Sequence, residues 1–231
     1  MKTVLVTGAN RGLGLEFCKQ YAEAGWQVIA GCRKPSNAND LNQLAQQYTT
    51  IQVLALDVSD HQQIDDLALS LKDVSLDLLI SNAGVYGDSA GHGFGAINYQ
   101  DWQNTLAINV LAGVKLAEAF TEALAKSEQG VFVAISSLMG SIADNDSGGS
   151  ILYRSSKAAL NAAMTSVAID IKPAGVGVLI FHPGWVRTDM GGPNGLCDTP
   201  ESIAGMREQI GQFTMQKTGQ FVKYDGTKMP W

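Results

Sequence analysis

The stretch that decides the fold runs from Thr3 to Gly14 and reads TVLVTGANRGLG. Its first part is short, apolar and rich in β-branched residues, which predicts a buried strand. Its second part carries Gly8, Gly12 and Gly14, which let the backbone turn sharply and approach a ligand closely. A helical pattern follows over Leu13–Ala24. This strand–turn–helix unit predicts a pyrophosphate site at a helix N-terminus, although the glycines could also only connect the two elements.

Strand and helix patterns alternate along the rest of the chain. Further strands are predicted at Gln27–Ala30, Ile51–Leu56, Asp77–Ile80, Val131–Ile135 and Val176–Phe181. Further helices are predicted at His61–Leu71, Trp102–Lys126 and Tyr153–Ile171. Strands that are apolar throughout are typical of a parallel sheet covered on both faces. The sequence therefore predicts an α/β fold over residues 1–231: one Rossmann-type, doubly wound domain of about seven strands.

Composition excludes several classes of function. The chain has 231 residues, of which 45% are hydrophobic, and a formal net charge of −6 without a long basic run, so nucleic-acid binding is not expected. Neither a membrane span nor a signal peptide is visible, so no membrane partner is expected. The three cysteines show no paired spacing, which argues against a metal site and favours a reducing, cytoplasmic location.

Two irregular segments interrupt the alternation, near residues 84–98 and 187–200. Both follow strands at the same edge of the predicted sheet. Ligands of such sheets bind beyond the carboxyl ends of the strands. These loops are therefore expected to form the rim of a substrate site.

The end of the second strand suggests the cofactor. It carries Arg33 and Lys34 rather than an acidic residue, and Arg11 lies in the glycine turn. A carboxylate there would bind the ribose 2′-hydroxyl of NAD, whereas basic residues accommodate the 2′-phosphate of NADP. We therefore expect NADP(H) to be preferred over NAD(H), unless both arginines are only solvated surface residues.

Tyr153 and Lys157 are four residues apart in a helical stretch, so their side chains share one face. A phenol has a pKa of about 10, and a nearby cation favours its ionised form. The pair is therefore a candidate for proton transfer to or from a carbonyl or alcohol, although Tyr and Lys fall at this spacing often by chance.

Taken together, these motifs resemble the short-chain dehydrogenase/reductase family over nearly the whole chain. The shared elements are the Thr7–Gly14 turn, Asp57-Val58, Asn82-Ala83-Gly84, Asn109, Ser136-Ser137 with Gly140, Tyr153 with Lys157, Pro183-Gly184 and Thr188. More narrowly, the segments YRSSK at 153–157, HPGWV at 182–186 and FVKYDG at 221–226 look like the carbonyl reductases of the sniffer and C-factor group.

The resemblance implies a role for each catalytic residue. Tyr153 would be the general acid in reduction, and Lys157 would depress its pKa and bind the nicotinamide ribose. Ser137 would polarise the carbonyl oxygen, with Ser136 as the competitor for that role. Asn109 would hold a water that links Lys157 to solvent.

The resemblance also implies which residues surround the cofactor. Asp57 and Val58 would lie at the adenine, although Asp57 could instead be a helix N-cap. The remaining expected contacts are Gly8, Asn10, Arg11, Gly12, Leu13, Gly14, Arg33, Asn82, Ala83, Gly84, Tyr153, Lys157, Pro183, Gly184, Val186 and Thr188.

The leading hypothesis is therefore an NADP(H)-dependent oxidoreductase that reduces an aldehyde, ketone or quinone carbonyl. The alternative is a dinucleotide-binding, C-factor-like signalling or redox-sensing protein with minor catalysis. Sugar-nucleotide epimerisation uses a similar Tyr–Lys pair, but few residues follow Phe181 to build its substrate domain. Family members pair through two long helices, here Trp102–Lys126 and Tyr153–Ile171, so a homodimer or homotetramer is possible.

Overall fold

One parallel sheet of seven strands forms the centre of the molecule, as described for residues 1–231 by a computed structural model. The strands are β1 (Thr3–Thr7), β2 (Gln27–Cys32), β3 (Ile51–Ala55), β4 (Leu78–Ser81), β5 (Val131–Ile135), β6 (Gly177–His182) and β7 (Gln220–Lys223). Their order across the sheet is β3-β2-β1-β4-β5-β6-β7. All neighbours are parallel, so the predicted doubly wound α/β fold is confirmed.

Helices cover both faces of this sheet. They are α1 (Gly12–Glu23), α2 (Asn39–Gln47), α3 (His61–Ser70), α4 (Tyr99–Leu106), α5 (Ala112–Ala125), α6 (Ile151–Asp170) and α7 (Thr199–Gly211). Buried residues of α1, α2 and α7 pack on one face, and those of α3, α5 and α6 pack on the other.

Strand β1 shows how the two layers are held together. Successive side chains of a strand point to opposite faces. Val4 and Val6 accordingly pack with Phe17 of α1, whereas Leu5 packs with Leu116 of α5. Each face buries a cluster of 24 residues, which explains why the central strands are apolar throughout.

Four elements differ from the sequence prediction. The long helix expected over Trp102–Lys126 consists of α4, a π-helical turn at Ala107–Leu111 and α5. Apolar periodicity did not reveal the wider turn. Helix α2 was missed because it is mostly polar and buries only Leu41. Helix α7 and the position of the four-residue edge strand β7 were missed for lack of a clear period.

The strand order reverses between β1 and β4, which creates a crevice at the carboxyl ends of the strands. The turns after β1, β4, β5 and β6 all meet at this edge, so it is where a site is expected. None of the helices is long and apolar enough to cross a membrane. A cytoplasmic location stays a prediction.

Candidate active site

The glycine turn after β1 is closely packed. Gly8 and Gly12 have φ angles of +65° and +54°, which side chains disfavour. A Cβ added to Gly14 would lie 2.1 Å from the carbonyl oxygen of Gly8, so only glycine fits without a shift of the turn. Asn82, just after β4, donates from Nδ2 to the carbonyl oxygens of Thr7 (2.9 Å) and Gly8 (3.2 Å). The turn and the end of β4 are therefore fixed to one another.

The first turn of α1 is open to an anion. Arg11 precedes the helix without a capping hydrogen bond from its side chain, and no acidic residue lies in the first turn. The first amides of a helix lack acceptors within the helix, and its dipole is positive at this end. This donor set fits a pyrophosphate, which the backbone N–H groups of Gly12, Leu13 and Gly14 would hold.

The two arginines predicted to bind a 2′-phosphate have different surroundings. Arg33 is exposed just beyond β2, makes no salt bridge, and lies near enough to Asp57 to contribute to the lowered pKa of that carboxyl. Arg11 is also exposed, but its Nη1 lies 2.8 Å from Oδ2 of Asp189. Asp189 therefore engages one nitrogen of the Arg11 guanidinium, whose other N–H groups remain available to a phosphate.

Asp57 is not a helix cap, so that alternative is wrong. Its Oδ1 accepts hydrogen bonds from the backbone amide (3.0 Å) and the hydroxyl (2.7 Å) of Ser59, and the hydroxyl is the main cause of its lowered pKa. The N-cap of α3 is Asp60, which accepts from the amides of Gln62 (3.1 Å) and Gln63 (3.3 Å). Because Oδ2 of Asp57 accepts no hydrogen bond, it remains available to a ligand.

Tyr153 and Lys157 share a buried face of α6, as their spacing predicts. They are 9% and 5% exposed, and Nζ of Lys157 lies 5.7 Å from the centroid of the Tyr153 ring. The hydroxyl of Ser137, just after β5, lies close enough to the side chain of Tyr153 to lower the pKa of the phenol. The fold therefore brings together three of the four residues that the sequence proposed for catalysis.

The structure also separates the two candidate serines. The hydroxyl of Ser136 points into the core and donates to Oδ1 of Asn161 at 2.6 Å. The hydroxyl of Ser137 accepts from the amide of Met139 at 3.1 Å and contacts Tyr153. Only Ser137 faces the phenol.

The pKa of Tyr153 is raised rather than lowered. Burial raises it to about 12 and Tyr86 adds to the rise, while the nearby hydroxyl of Ser137 acts to lower it. Burial also lowers the pKa of Lys157 to about 8, because low-dielectric surroundings disfavour its charge. Lys157 is not among the causes of this shift, so the expected depression of the tyrosine pKa by Lys157 stays a prediction. Tyr153 is held protonated, which is the form that a general acid needs.

Asn109 lies in the π-helical turn and is buried beside Lys157. Its Nδ2 donates to the carbonyl of Val85 (2.8 Å) and to the hydroxyl of Ser156 (2.9 Å), and its Oδ1 accepts from the amide of Val85 (2.9 Å). A Cβ on Gly84 would lie 3.2 Å from this Oδ1 and 3.7 Å from Nζ of Lys157. Both amide hydrogens of Asn109 are engaged by protein groups, so the predicted water could be held only by oxygen atoms of this residue.

The segment after β6 returns to the phosphate turn. Pro183 and Val186 are buried, Gly184 has a φ of +88°, and the side chain of Thr188 lies 3.7 Å from a Cβ built on Gly12. The other predicted cofactor contacts lie at the same edge of the sheet: Asn10 after β1, Val58 after β3 and Ala83 after β4. Whether they contact a cofactor stays a prediction.

Sequence reasoning missed one aromatic residue of the site. The ring centroid of Tyr86 lies 4.9 Å from that of Tyr153, and its hydroxyl lies 2.6 Å from the hydroxyl of Ser150. No spacing pattern marks Tyr86; the only signal is an aromatic residue in a glycine-rich loop. Trp185, in the loop after β6, is half-exposed, and its Nε1 donates to the carbonyl of Gly191 at 2.7 Å.

This arrangement suits one kind of chemistry. A protonated phenol, a second hydroxyl and a buried amine stand beside a turn that fits a dinucleotide. Two hydroxyl donors can bind a carbonyl oxygen, and the phenol can protonate it as negative charge develops there.

Comparison with known proteins agrees with the fold and the motifs. A model of the family described as short chain dehydrogenase matches residues 2–195. Among curated proteins, the C-signal of Myxococcus xanthus is 39% identical over 156 residues, which cover 68% of this chain and 93% of that protein.

Two solved structures match the whole chain. The carbonyl reductase Sniffer of D. melanogaster has a TM-score of 0.92 and 33% identity, with 100% of each chain covered. The NADPH-bound carbonyl reductase from chicken fatty liver has a TM-score of 0.93 and 31% identity, covering 100% of this chain and 99% of its own.

Proposed function

Since this chain belongs to the short-chain dehydrogenase family, we propose that it is an NADP(H)-dependent carbonyl reductase. Its substrates would be aldehydes, ketones or quinones. The observation that carries the proposal is the buried contact of Ser137 with Tyr153, beside Lys157 and the open first turn of α1. The likeness to structures of carbonyl reductases supports the same reaction class.

Each catalytic side chain has a role that follows from its surroundings. Ser137 and Tyr153 donate hydrogen bonds to the carbonyl oxygen, and Tyr153 transfers its proton to that oxygen. Lys157 binds the nicotinamide ribose and returns a proton to Tyr153. Asn109 binds Val85 and so holds the loop after β4 beside the Lys157 amine. When bound, the reduced nicotinamide supplies the hydride for the carbonyl carbon.

NADP(H) is proposed over NAD(H) because β2 ends in basic residues. Arg33 is exposed, has no ion-pair partner, and follows a strand end that carries no acidic residue to repel a phosphate. The nucleotide would extend from there across Gly8, Gly12 and Gly14 to Pro183, Gly184, Val186 and Thr188. The loops at 84–98 and 187–200 would form the substrate rim.

A signalling function without catalysis is not favoured. The resemblance to the C-signal keeps that alternative in view. Ser137, Tyr153, Lys157 and Asn109 are nevertheless all present and buried together, an arrangement that dinucleotide binding alone does not require.

A homodimer or homotetramer through α5 and α6 is also proposed. Leu111, in the π-helical turn just before α5, and Ile169, in α6, are apolar and are 51% and 68% exposed. Light scattering of the purified protein would give the assembly state, and a monomer at micromolar concentration would exclude this assembly.

The function is tested by assaying the purified protein with NADPH against a panel of aldehydes, ketones and quinones. We expect turnover of at least one class, and loss of nearly all turnover in Tyr153→Phe while NADPH still binds. Undiminished turnover in Tyr153→Phe would reject the role of the phenol. Turnover with no member of the panel would reject the proposed function.

A further inference from the structure

The N-terminus of α6, the helix that carries Tyr153, is capped by a residue from a different part of the chain. The two carboxylate oxygens of Asp88 accept from the amides of Leu152 (3.2 Å) and Tyr153 (2.8 Å). Asp88 lies in the loop after β4, 64 residues before Leu152. A carboxylate at this end satisfies amides that have no acceptor within the helix and is favoured by the helix dipole.

Ser150, at the usual N-cap position, does not cap the helix. Ser150 precedes α6 with φ 44° and ψ 47°, and it is the only residue other than glycine with a positive φ. Its side chain makes no cap hydrogen bond, and its hydroxyl lies 2.6 Å from the hydroxyl of Tyr86. Asp88 therefore takes the place of the local N-cap.

The segment that presents Asp88 is held firmly in place. Gly87 has a φ of +81°, and a Cβ there would lie 2.1 Å from Oγ1 of Thr105, so only glycine fits at this position. Two residues earlier, both backbone groups of Val85 are bonded to the side chain of Asn109. The carboxylate of Asp88 thus reaches α6 from a fixed position.

The same segment also contacts the ring of Tyr153. The ring of Tyr86 packs against it with centroids 4.9 Å apart and planes inclined by 35°. One side chain of the loop therefore touches the phenol ring, and another binds the backbone amide of the same residue.

We propose that Asp88 is a positioning residue, whose carboxylate fixes the first turn of α6 so that the Tyr153 hydroxyl stays in line with Ser137. In this role Asp88 acts through Tyr153. The inference rests on the proposed function, in which Tyr153 donates the proton. Displacing a catalytic group by about 1 Å can slow a reaction on the order of 100-fold, so a held first turn matters for rate.

The test compares Asp88→Ala and Asp88→Asn with the wild type. Asp170→Ala is the matched control, because it removes an exposed carboxylate from the opposite end of the same helix. Four quantities are measured: kcat, KM for the carbonyl substrate, the Kd of NADPH, and hydrogen exchange of the Leu152 and Tyr153 amides.

In Asp88→Ala we expect amide exchange at both positions to accelerate at least about 10-fold and kcat to fall at least about 10-fold. The Kd of NADPH should stay within about twofold, because Asp88 lies outside the glycine turn that would hold the nucleotide, whereas KM is free to change because Asp88 lies in the proposed substrate rim. Asp88→Asn keeps one acceptor oxygen, so its kcat should lie between those of Asp88→Ala and the wild type. The control should match the wild type throughout.

A kcat within twofold of the wild type in Asp88→Ala would overturn the proposal, as would a loss of kcat that is matched by equal losses in NADPH affinity. If Asp88→Ala does not fold, Asp88→Asn decides, and a wild-type kcat in that variant overturns the proposal.

A readout without turnover separates this inference from the proposed function. In protein labelled with carbon-13 at tyrosine Cζ, the Tyr153 signal is assigned by its absence in Tyr153→Phe. We expect that signal to shift in the Asp88 variants and not in Asp170→Ala, because the phenol leaves Ser137. An unshifted signal overturns the positioning role, whether or not the wild type reduces any carbonyl.

Discussion

The Nζ atom of Lys157 lies 2.8 Å from the carbonyl oxygen of Ile135 and has no charged partner. Burial lowers the lysine pKa from 10.5 to about 8. The folded protein thus binds fewer protons than the unfolded chain between these two values. Lys157 therefore destabilises the fold below pH 8, and stability rises with pH across this window.

Lys157→Met should accordingly be inactive but more stable than the wild type. The pKa shift corresponds to a gain on the order of 3 kcal/mol in the free energy of unfolding at pH 7, reduced by about 1 kcal/mol for the lost hydrogen bond. The gain should shrink by more than half at pH 9.5, roughly one unit below the lysine's ordinary pKa. Urea unfolding at pH 7 and pH 9.5 measures the gain in the free energy of unfolding, with the exposed Lys19→Met as the control. An equal gain at both pH values would contradict the lowered pKa of Lys157.

The two serines after β5 should respond differently to substitution. Ser137→Ala removes a donor to the developing negative charge, so kcat should fall by about 100-fold or more while the fold is retained. Ser136→Ala leaves the buried Oδ1 of Asn161 without its 2.6 Å partner, so it should lower the free energy of unfolding by about 1–3 kcal/mol. Steady-state kinetics and thermal unfolding of both variants distinguish these effects; the reverse pattern would assign the catalytic role to Ser136.

Arg33→Ala should weaken NADPH binding and leave NADH binding almost unchanged. A hydrogen bond to a charged group contributes about 1.5–3 kcal/mol, which predicts a rise of roughly 10- to 150-fold in the Kd of NADPH.

In Asp189→Asn the partner of Arg11 is neutral, so NADPH should bind somewhat more tightly at low salt. Fluorescence titration with both nucleotides measures these effects, and an equal loss for NADH would remove the argument for the 2′-phosphate.

Gly14→Ala tests the phosphate turn itself. Its Cβ would lie 2.1 Å from the Gly8 carbonyl oxygen and 2.7 Å from Nδ2 of Asn82, so the turn must move. We expect the Kd of NADPH to rise at least about 10-fold because the backbone donors are displaced. Gly211→Ala, where a Cβ meets open space, is the matched control. Wild-type affinity in Gly14→Ala would show that the turn does not hold the pyrophosphate.

Much of the site could be predicted from the sequence because its residues lie in motifs that are short and continuous in the chain. The spacing of Tyr153 and Lys157 is set by one helix, and the glycine turn lies between a strand and a helix that are neighbours in the chain. The family resemblance alone favours Ser137 over Ser136, and the structure shows the physical difference in what each hydroxyl contacts.

The π-helical turn at Asn109 and the cap from Asp88 were not predicted, for related reasons. Apolar periodicity does not report one wider helical turn. A hydrogen bond between residues 65 apart, such as that from Tyr153 to Asp88, leaves no pattern in a single sequence.

The sequence by itself determined the fold class, the glycine turn and the catalytic pair. Strand and helix periodicity, the backbone freedom of glycine and the four-residue spacing of Tyr153 and Lys157 all depend on residues that are close together in the chain. Only the tertiary structure decided the charge states and the positioning. Burial raises the pKa of Tyr153 and lowers that of Lys157, and burial depends on how α6 packs against the sheet. Likewise, Asp88 reaches the first turn of α6 only because β4 and β5 are adjacent and their loops open at one edge.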